Sequence, residues 1–201
     1  MTAIYYDTEF IENGRTIDLV SIGRVSEAGD EYYAVSSEFD MNAMAANPWL
    51  MANVWPSLPR LGGDARMYAL SGIGRPRWMP QSQRSKIRTD ARCLRALFDW
   101  GHPAVKPRRQ IANEVRQFIL SHPDPQLWAW YAAYDHVALA QLFGRMIDLP
   151  DGMPMFTCDL KQECVRLGDP RVPEQATGVH NALADARHNK TIAEFLRGRQ
   201  P

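Results

Sequence analysis

Little in this chain points to a membrane, an oxidising compartment or a repeat architecture. It has only three cysteines in 201 residues, Cys93, Cys158 and Cys164. That is too few for a disulfide framework, and none forms the CxxC pairing of a zinc site. No apolar run approaches the ~20 residues that a membrane helix needs. A strand-like pattern begins at Ala3 and leaves no room for a signal peptide, so a reduced, cytoplasmic protein is the simplest expectation. There is no internal repeat or low-complexity tract. "GIG" at 72–74 lacks the glycine spacing and strand-to-helix setting of a phosphate-binding loop. Net charge is zero as well.

The zero conceals an uneven distribution. From Arg60 to Arg116 there are 13 Lys+Arg and 4 Asp+Glu, a net of +9, so the rest carries −9. An acidic body with a basic middle suits a polyanionic partner; a solvated face or an internal charge match is the plainer alternative. With 45% hydrophobic residues the chain is expected to fold, and its length suits one sizeable domain.

The first forty residues read as a β-meander: strands over Ala3–Phe10, Thr16–Val25 and Glu31–Ser36, with turns at Asn13-Gly14 and Gly29. A helix is expected from Asn42 to Val54, stopped by Pro56 and Pro59. Residues 60–107 are mostly loop-like, with one helical pattern over Arg84–Trp100. Ile111, Val115, Phe118 and Ile119 then recur at helical spacing. "LWAWYAAYD" reads as a buried strand, Leu127–Tyr131, with Trp128, Trp130 and Tyr131 in the core. Helices over Val137–Ile147 and Leu160–Leu167, a short strand in "MFTCD" and a helix from Asn181 to Leu196 complete the chain. This order predicts an α/β fold: a mixed sheet, three antiparallel strands then parallel ones, with flanking helices.

The first strand ends "YYDTEF". Residues two apart share a face of a strand, so Asp7 and Glu9 stand side by side beside a core. Two like charges about 4 Å apart repel by roughly 4 kcal/mol at an effective dielectric near 20. Two more acids follow. Asp135 opens a helix after a strand, and alone it reads as an N-cap. Asp185 lies in the last helix, five residues after His180. Five helical residues turn about 140° net. The two converge only if His180 sits in the loop before the helix, with Asn181 as N-cap.

Asp-x-Glu in "YYDTEF", Asp in "AAYDHVAL" and His-x-x-x-x-Asp in "HNALADA" resemble the DEDDh 3′-to-5′ exonucleases, whose fold is RNase H-like. "YDTEFIENGRTIDLVSIG" and "LWAWYAAYDHVAL" look like the small RNase T-like exoribonucleases of actinobacteria. The likeness covers roughly 1–59 and 106–196, which makes 1–201 one exonuclease domain with a basic insertion at about 66–103. Two positions depart from the family pattern. Tyr131 stands where many members have Asn, and Glu9 is followed by "FIENG" rather than a "TTG"-like run.

The resemblance implies two divalent cations, Mg²⁺ or Mn²⁺, held by Asp7, Glu9, Asp135 and Asp185. It makes Asp7 the bridge between them, places Glu9 and Asp185 on one ion, and has Asp135 act mainly through water. It makes His180 the general base and nucleoside 5′-monophosphates the product. Phe10 and Ile11 are expected to pack on the terminal bases, although an apolar strand end in the core fits them equally. His188, one turn after Asp185, reads as a surface or supporting residue. The expected partner is a single-stranded RNA 3′ end, with no membrane. A DNA exonuclease and an inactive nucleic-acid-binding module are the alternatives. Relatives in this group often dimerise, so a homodimer is a further expectation, though no self-complementary surface is legible.

Overall fold

The computed structural model describes residues 1–62 and 91–199. The chain divides into two compact units, residues 1–39 with 106–201, and residues 40–105.

The larger unit is built on a mixed sheet. Its strands are β1 (Thr2–Glu12), β2 (Ile17–Ser26), β3 (Glu31–Ser36), the two-residue β4 (Val105–Lys106), β5 (Pro125–Ala129) and β6 (Thr157–Asp159), in the order β4-β3-β2-β1-β5-β6. β1, β2 and β3 are antiparallel, while β5 and β6 run parallel to β1 and to each other. This is the RNase H-like sheet expected from the sequence, with β1 in its interior.

Alternation along β1 makes two cores. Ile4 and Tyr6 face one side, under α4 (Arg108–Leu120) and α5 (Ala133–Gln141), with Ile111, Val115, Ile119 and Leu139. Ala3 and Tyr5 face the other, under α6 (Leu160–Arg166) and α7 (Ala182–Arg197), with Leu160, Ile192 and Leu196. Each fully buried aliphatic or aromatic side chain contributes about 1.5–3 kcal/mol. α7 is also held by polar contacts. Asn189, buried, donates to the Tyr6 carbonyl at 3.0 Å, and Arg187 makes a two-pronged pair with Glu31.

The smaller unit corrects one expectation. The helix expected over Asn42–Val54 is two: α1 (Met41–Ala46), capped by Asp40, and α2 (Pro48–Asn53), capped by Asn47. The residue before a proline avoids helical geometry, and Asn47 is extended (φ −100°, ψ 106°). Pro48 then starts the second helix, a position that needs no amide hydrogen. Of the helix expected over Arg84–Trp100, α3 spans Ala91–Leu97, and residues 84–90 lie outside the described residues. Most of the expected insertion at 66–103 lies there too.

β5 stops at Ala129, so Tyr131 is not a strand residue. α5 starts at Ala133, four residues before Val137, and ends at Gln141. Met146–Asp148 is a separate 3₁₀ turn.

Candidate active site

β1 supplies the first two acids. Asp7 and Glu9 share the face of Ala3 and Tyr5, toward α7. Asp185 sits in the first turn of α7, whose N-cap is Asn181 as expected; the Asn181 side chain accepts from the Ala184 N–H. His180 precedes the helix in a left-handed conformation, φ +64°. Its Nδ1 lies 4.0 Å from Glu9 Oε1, and ligand atoms of Glu9, His180 and Asp185 fall within 4.8 Å of one another.

Gly23 makes this closeness geometrically feasible. It pairs with Asp7 across β1 and β2. A Cβ there would lie 2.2 Å from the Leu183 nitrogen and 2.3 Å from the Ala182 carbonyl, both backbone atoms. Only glycine lets the start of α7 lie against the sheet at the level of Asp7.

Asp135 arrives from the other face. It is buried in the first turn of α5 but is not its N-cap: Ala132 holds that place, with no side-chain bond. Asp135 Oδ1 instead accepts from Thr8, from the N–H at 2.8 Å and the hydroxyl at 2.6 Å. Thr8 stands between Asp7 and Glu9 and points to the opposite face, so one strand aims two acids and anchors a third.

The electrostatics are those of crowded, shielded carboxylates. Burial raises Asp7 well above the usual carboxylate range, and the charges of Asp135, Glu9 and Asp185 add to the rise. Glu9 is pushed up to about 8, by burial first and then by Asp185 and Asp135. Asp135 is raised to about 6 by burial, with the Thr8 bonds opposing. Asp185 is raised by burial against the opposing Gln175 hydrogen bond. Gln175 Nε2 donates to Asp185 Oδ1 at 2.6 Å and to the Thr177 carbonyl at 3.2 Å, fastening the His180 loop to the acid. Among the described residues, no lysine or arginine is ion-paired with any of the four acids.

The residues beside the acids separate. Phe10 is half-buried, with its ring 5.8 Å from that of the exposed Tyr134. Ile11 is 6% exposed and turned into the protein by the alternation that brings Phe10 out, so it offers a base no face. Trp128 and Trp130 are half-buried, but Tyr131 is 63% exposed, against the expectation of a core residue. The His136 ring meets the Thr157 hydroxyl at 3.0 Å, away from the acids.

The sequence reading passed over Thr8, Gly23, Gln175 and Asn189. "DTE" and "SIG" carry a weak hint, a small residue between acids and a glycine within a strand; Gln175 and Asn189 have no local signal at all.

Acids clustered on an interior strand of an RNase H-like sheet are the arrangement expected of a hydrolytic nuclease. Residues 2–197 match the model of the 3′-5′ exoribonuclease Rv2179c-like domain. The chain is 40% identical over 185 residues to the 3′-5′ exoribonuclease Rv2179c of Mycobacterium tuberculosis H37Rv, covering 91% of this chain and 86% of that protein. The 3′-5′ exoribonuclease MT2234.1 of M. tuberculosis CDC 1551 matches to the same extent. The chain belongs to the Rv2179c-like 3′-5′ exoribonuclease family.

Proposed function

We propose that this chain is a metal-dependent 3′-5′ exoribonuclease of the DEDDh type, releasing nucleoside 5′-monophosphates from single-stranded RNA 3′ ends. The observation that carries the reading is the convergence of Asp7, Glu9, Asp135 and Asp185, with His180 beside them and no lysine or arginine paired to any of the four among the described residues. The names of the two relatives support RNA as substrate and the 3′-5′ direction.

The site fits hard divalent cations. Asp7 and Glu9, raised by the charges of the neighbouring acids, need positive charge to ionise alongside them, and oxygen donors favour Mg²⁺ or Mn²⁺. Asp7, Glu9, Asp135 and Asp185 are the residues that would hold two such ions. Bound there, the ions supply Lewis-acid stabilisation of the charge that builds on the phosphate oxygens.

The chain's own residues do the rest. His180, a third exposed and on a loop, takes a proton from the attacking water. The water oxygen bonds to the terminal phosphorus and the bond to the preceding nucleotide's O3′ breaks. The leaving O3′ takes a proton from solvent water, which leaves a 5′-monophosphate and a shortened strand with a free 3′ hydroxyl. Thr8 holds Asp135 in place, and Gln175 ties the His180 loop to Asp185. Phe10 and Tyr134 form an aromatic shelf suited to a terminal base. The basic segment around 66–103 guides the RNA, and the enzyme works in the cytoplasm.

The test is a 5′-labelled, 3′-tailed RNA and its DNA counterpart, each with Mg²⁺ or EDTA. The expected result is a descending ladder with RNA and Mg²⁺ alone, lost in Asp7→Asn. Undiminished cleavage in EDTA would overturn the metal dependence, and faster loss of the DNA would overturn the choice of RNA.

A further inference from the structure

Tyr131 occupies the end of the sheet that carries the acids, yet most of its side chain is exposed. β1 and β5 run parallel with Tyr5 opposite Trp128, so two residues further on Asp7 and Trp130 reach the same end. Tyr131 follows there, and Asp135 lies four residues beyond it.

Its backbone is in the left-handed region, φ +57°. For a bulky residue that conformation is strained and persists only where the surroundings enforce it. The enforcing contacts are visible. The next N–H, of Ala132, donates to the Asp159 carboxylate at 3.0 Å. That carboxylate also accepts from the Lys161 and Gln162 N–H groups at the start of α6. Glycine or asparagine would satisfy the same turn at less cost.

The strain is not repaid by burial, because the side chain is 63% exposed. Its hydroxyl has no hydrogen bond among the described residues; its ring meets that of Trp130 at 5.6 Å, and it lies close enough to Lys161 to act on its charge. A strained residue left mostly exposed points to a role outside the chain's own packing. With the Phe10 and Tyr134 rings at the same end of β1, that role is contact with a strand of unpaired bases.

We propose that Tyr131 is a substrate-binding residue whose ring stacks on a base of the bound RNA, separately from the Phe10–Tyr134 shelf. The proposal rests on the exoribonuclease reading above. Stacking tolerates any base, so Tyr131 contributes affinity rather than sequence preference.

The strain makes the test decisive, since stability and binding move in opposite directions. In Tyr131→Asn and Tyr131→Gly the melting temperature stays level or rises. KM for a short RNA rises about 5- to 140-fold, the affinity equivalent of one base–aromatic stack, while kcat is kept within about twofold. Tyr131→Phe keeps ring and strain and restores KM. An abasic nucleotide walked along the RNA raises the wild-type KM at one position and adds nothing further there in Tyr131→Asn. An unchanged KM in both variants overturns the proposal. So does a lower melting temperature with kcat and KM damaged together, which marks a structural residue. If wild-type protein releases no 5′-monophosphates from RNA, the exoribonuclease reading fails and takes this proposal with it. If wild type degrades RNA and the variants match it, only the role of Tyr131 fails.

Discussion

Raising the pH should destabilise this protein in the absence of divalent ions. Glu9 is raised to about 8 in the fold, against 4.5 when unfolded. Between those values the folded state binds a proton that the unfolded state lacks, so folding stability falls as pH rises. Asp7 and Asp185 are raised too and act with the same sign. Asp135, at about 6, acts mainly lower down. His136 works the other way. Burial lowers it from 6.5, so its contribution grows as pH rises towards 6.5 and is constant above. Carboxylates that the fold pulls down, such as Glu31 and Asp169, act only at lower pH. The clean window is therefore about pH 6.5 to 8. Across it Glu9 alone removes roughly 1–2 kcal/mol, at 1.36 kcal/mol per pH unit with titration setting in near the top. For a chain of this size that is roughly 2–8 °C in melting temperature. The assay is thermal unfolding in EDTA across that range, on wild type and Glu9→Gln, then with Mn²⁺ added. Wild type should fall with pH, Glu9→Gln should fall less, and Mn²⁺ should stabilise more at the upper end, because metals compete with protons for the same oxygens. A flat or rising metal-free curve, or equal slopes in the two proteins, would refute the reasoning.

Four further outcomes are expected. His180→Ala should lose about 10²–10⁴ in kcat with Mn²⁺ stabilisation intact; a large loss of Mn²⁺ affinity would make His180 a ligand instead. Gly23→Ala should cost at least about 1–3 kcal/mol, since the added methyl meets backbone of α7, and should weaken Mn²⁺ stabilisation by displacing Asp185; wild-type melting and Mn²⁺ response would show the contact to be slack. Arg24, fully buried over the Tyr6 ring at 5.1 Å, has no hydrogen bond to its guanidinium among the described residues, and burial lowers it to about 10. Arg24→Met should raise stability by about 1 kcal/mol or more in denaturant unfolding, and a loss would reveal an ionic partner. For the basic segment, five phosphate contacts give a slope of about −3.5 for log K against log salt; neutralising Arg84, Lys86 and Arg88 together should flatten it by about 2 without slowing dinucleotide turnover.

The parts legible in the sequence are those with short-range signals. Asn13-Gly14 and Gly29 fix the meander, and Asn181 fixes the start of α7 and so the loop position of His180. The acids are legible through their spacing and the family likeness. Other features depend on partners far along the chain. Asp135 resembles an N-cap until Thr8, 127 positions away, claims its oxygen. Gly23 looks like an ordinary interruption of a strand until α7 packs on it. Asn47-Pro48 is a readable break that the expectation of one helix over Asn42–Val54 leaves out. Tyr131 read as core because its neighbours are apolar, and no local pattern foretells a left-handed turn held by Asp159.

The docking of α7 has a temporal consequence. Asn189 meets the Tyr6 carbonyl across 183 positions of chain, and Asp185 reaches Asp7 only with that helix in place. A growing polypeptide lays down Asp7 and Glu9 almost at once, then waits for nearly all the remaining residues before the fourth acid exists. At about 5–20 residues per second, that interval is on the order of ten seconds or more. Throughout it the nascent chain holds β1 without the helix that completes the centre. On the proposed four-acid centre, an enzyme that degrades RNA would be made on RNA in an inactive form until the last helix closes onto the first strand.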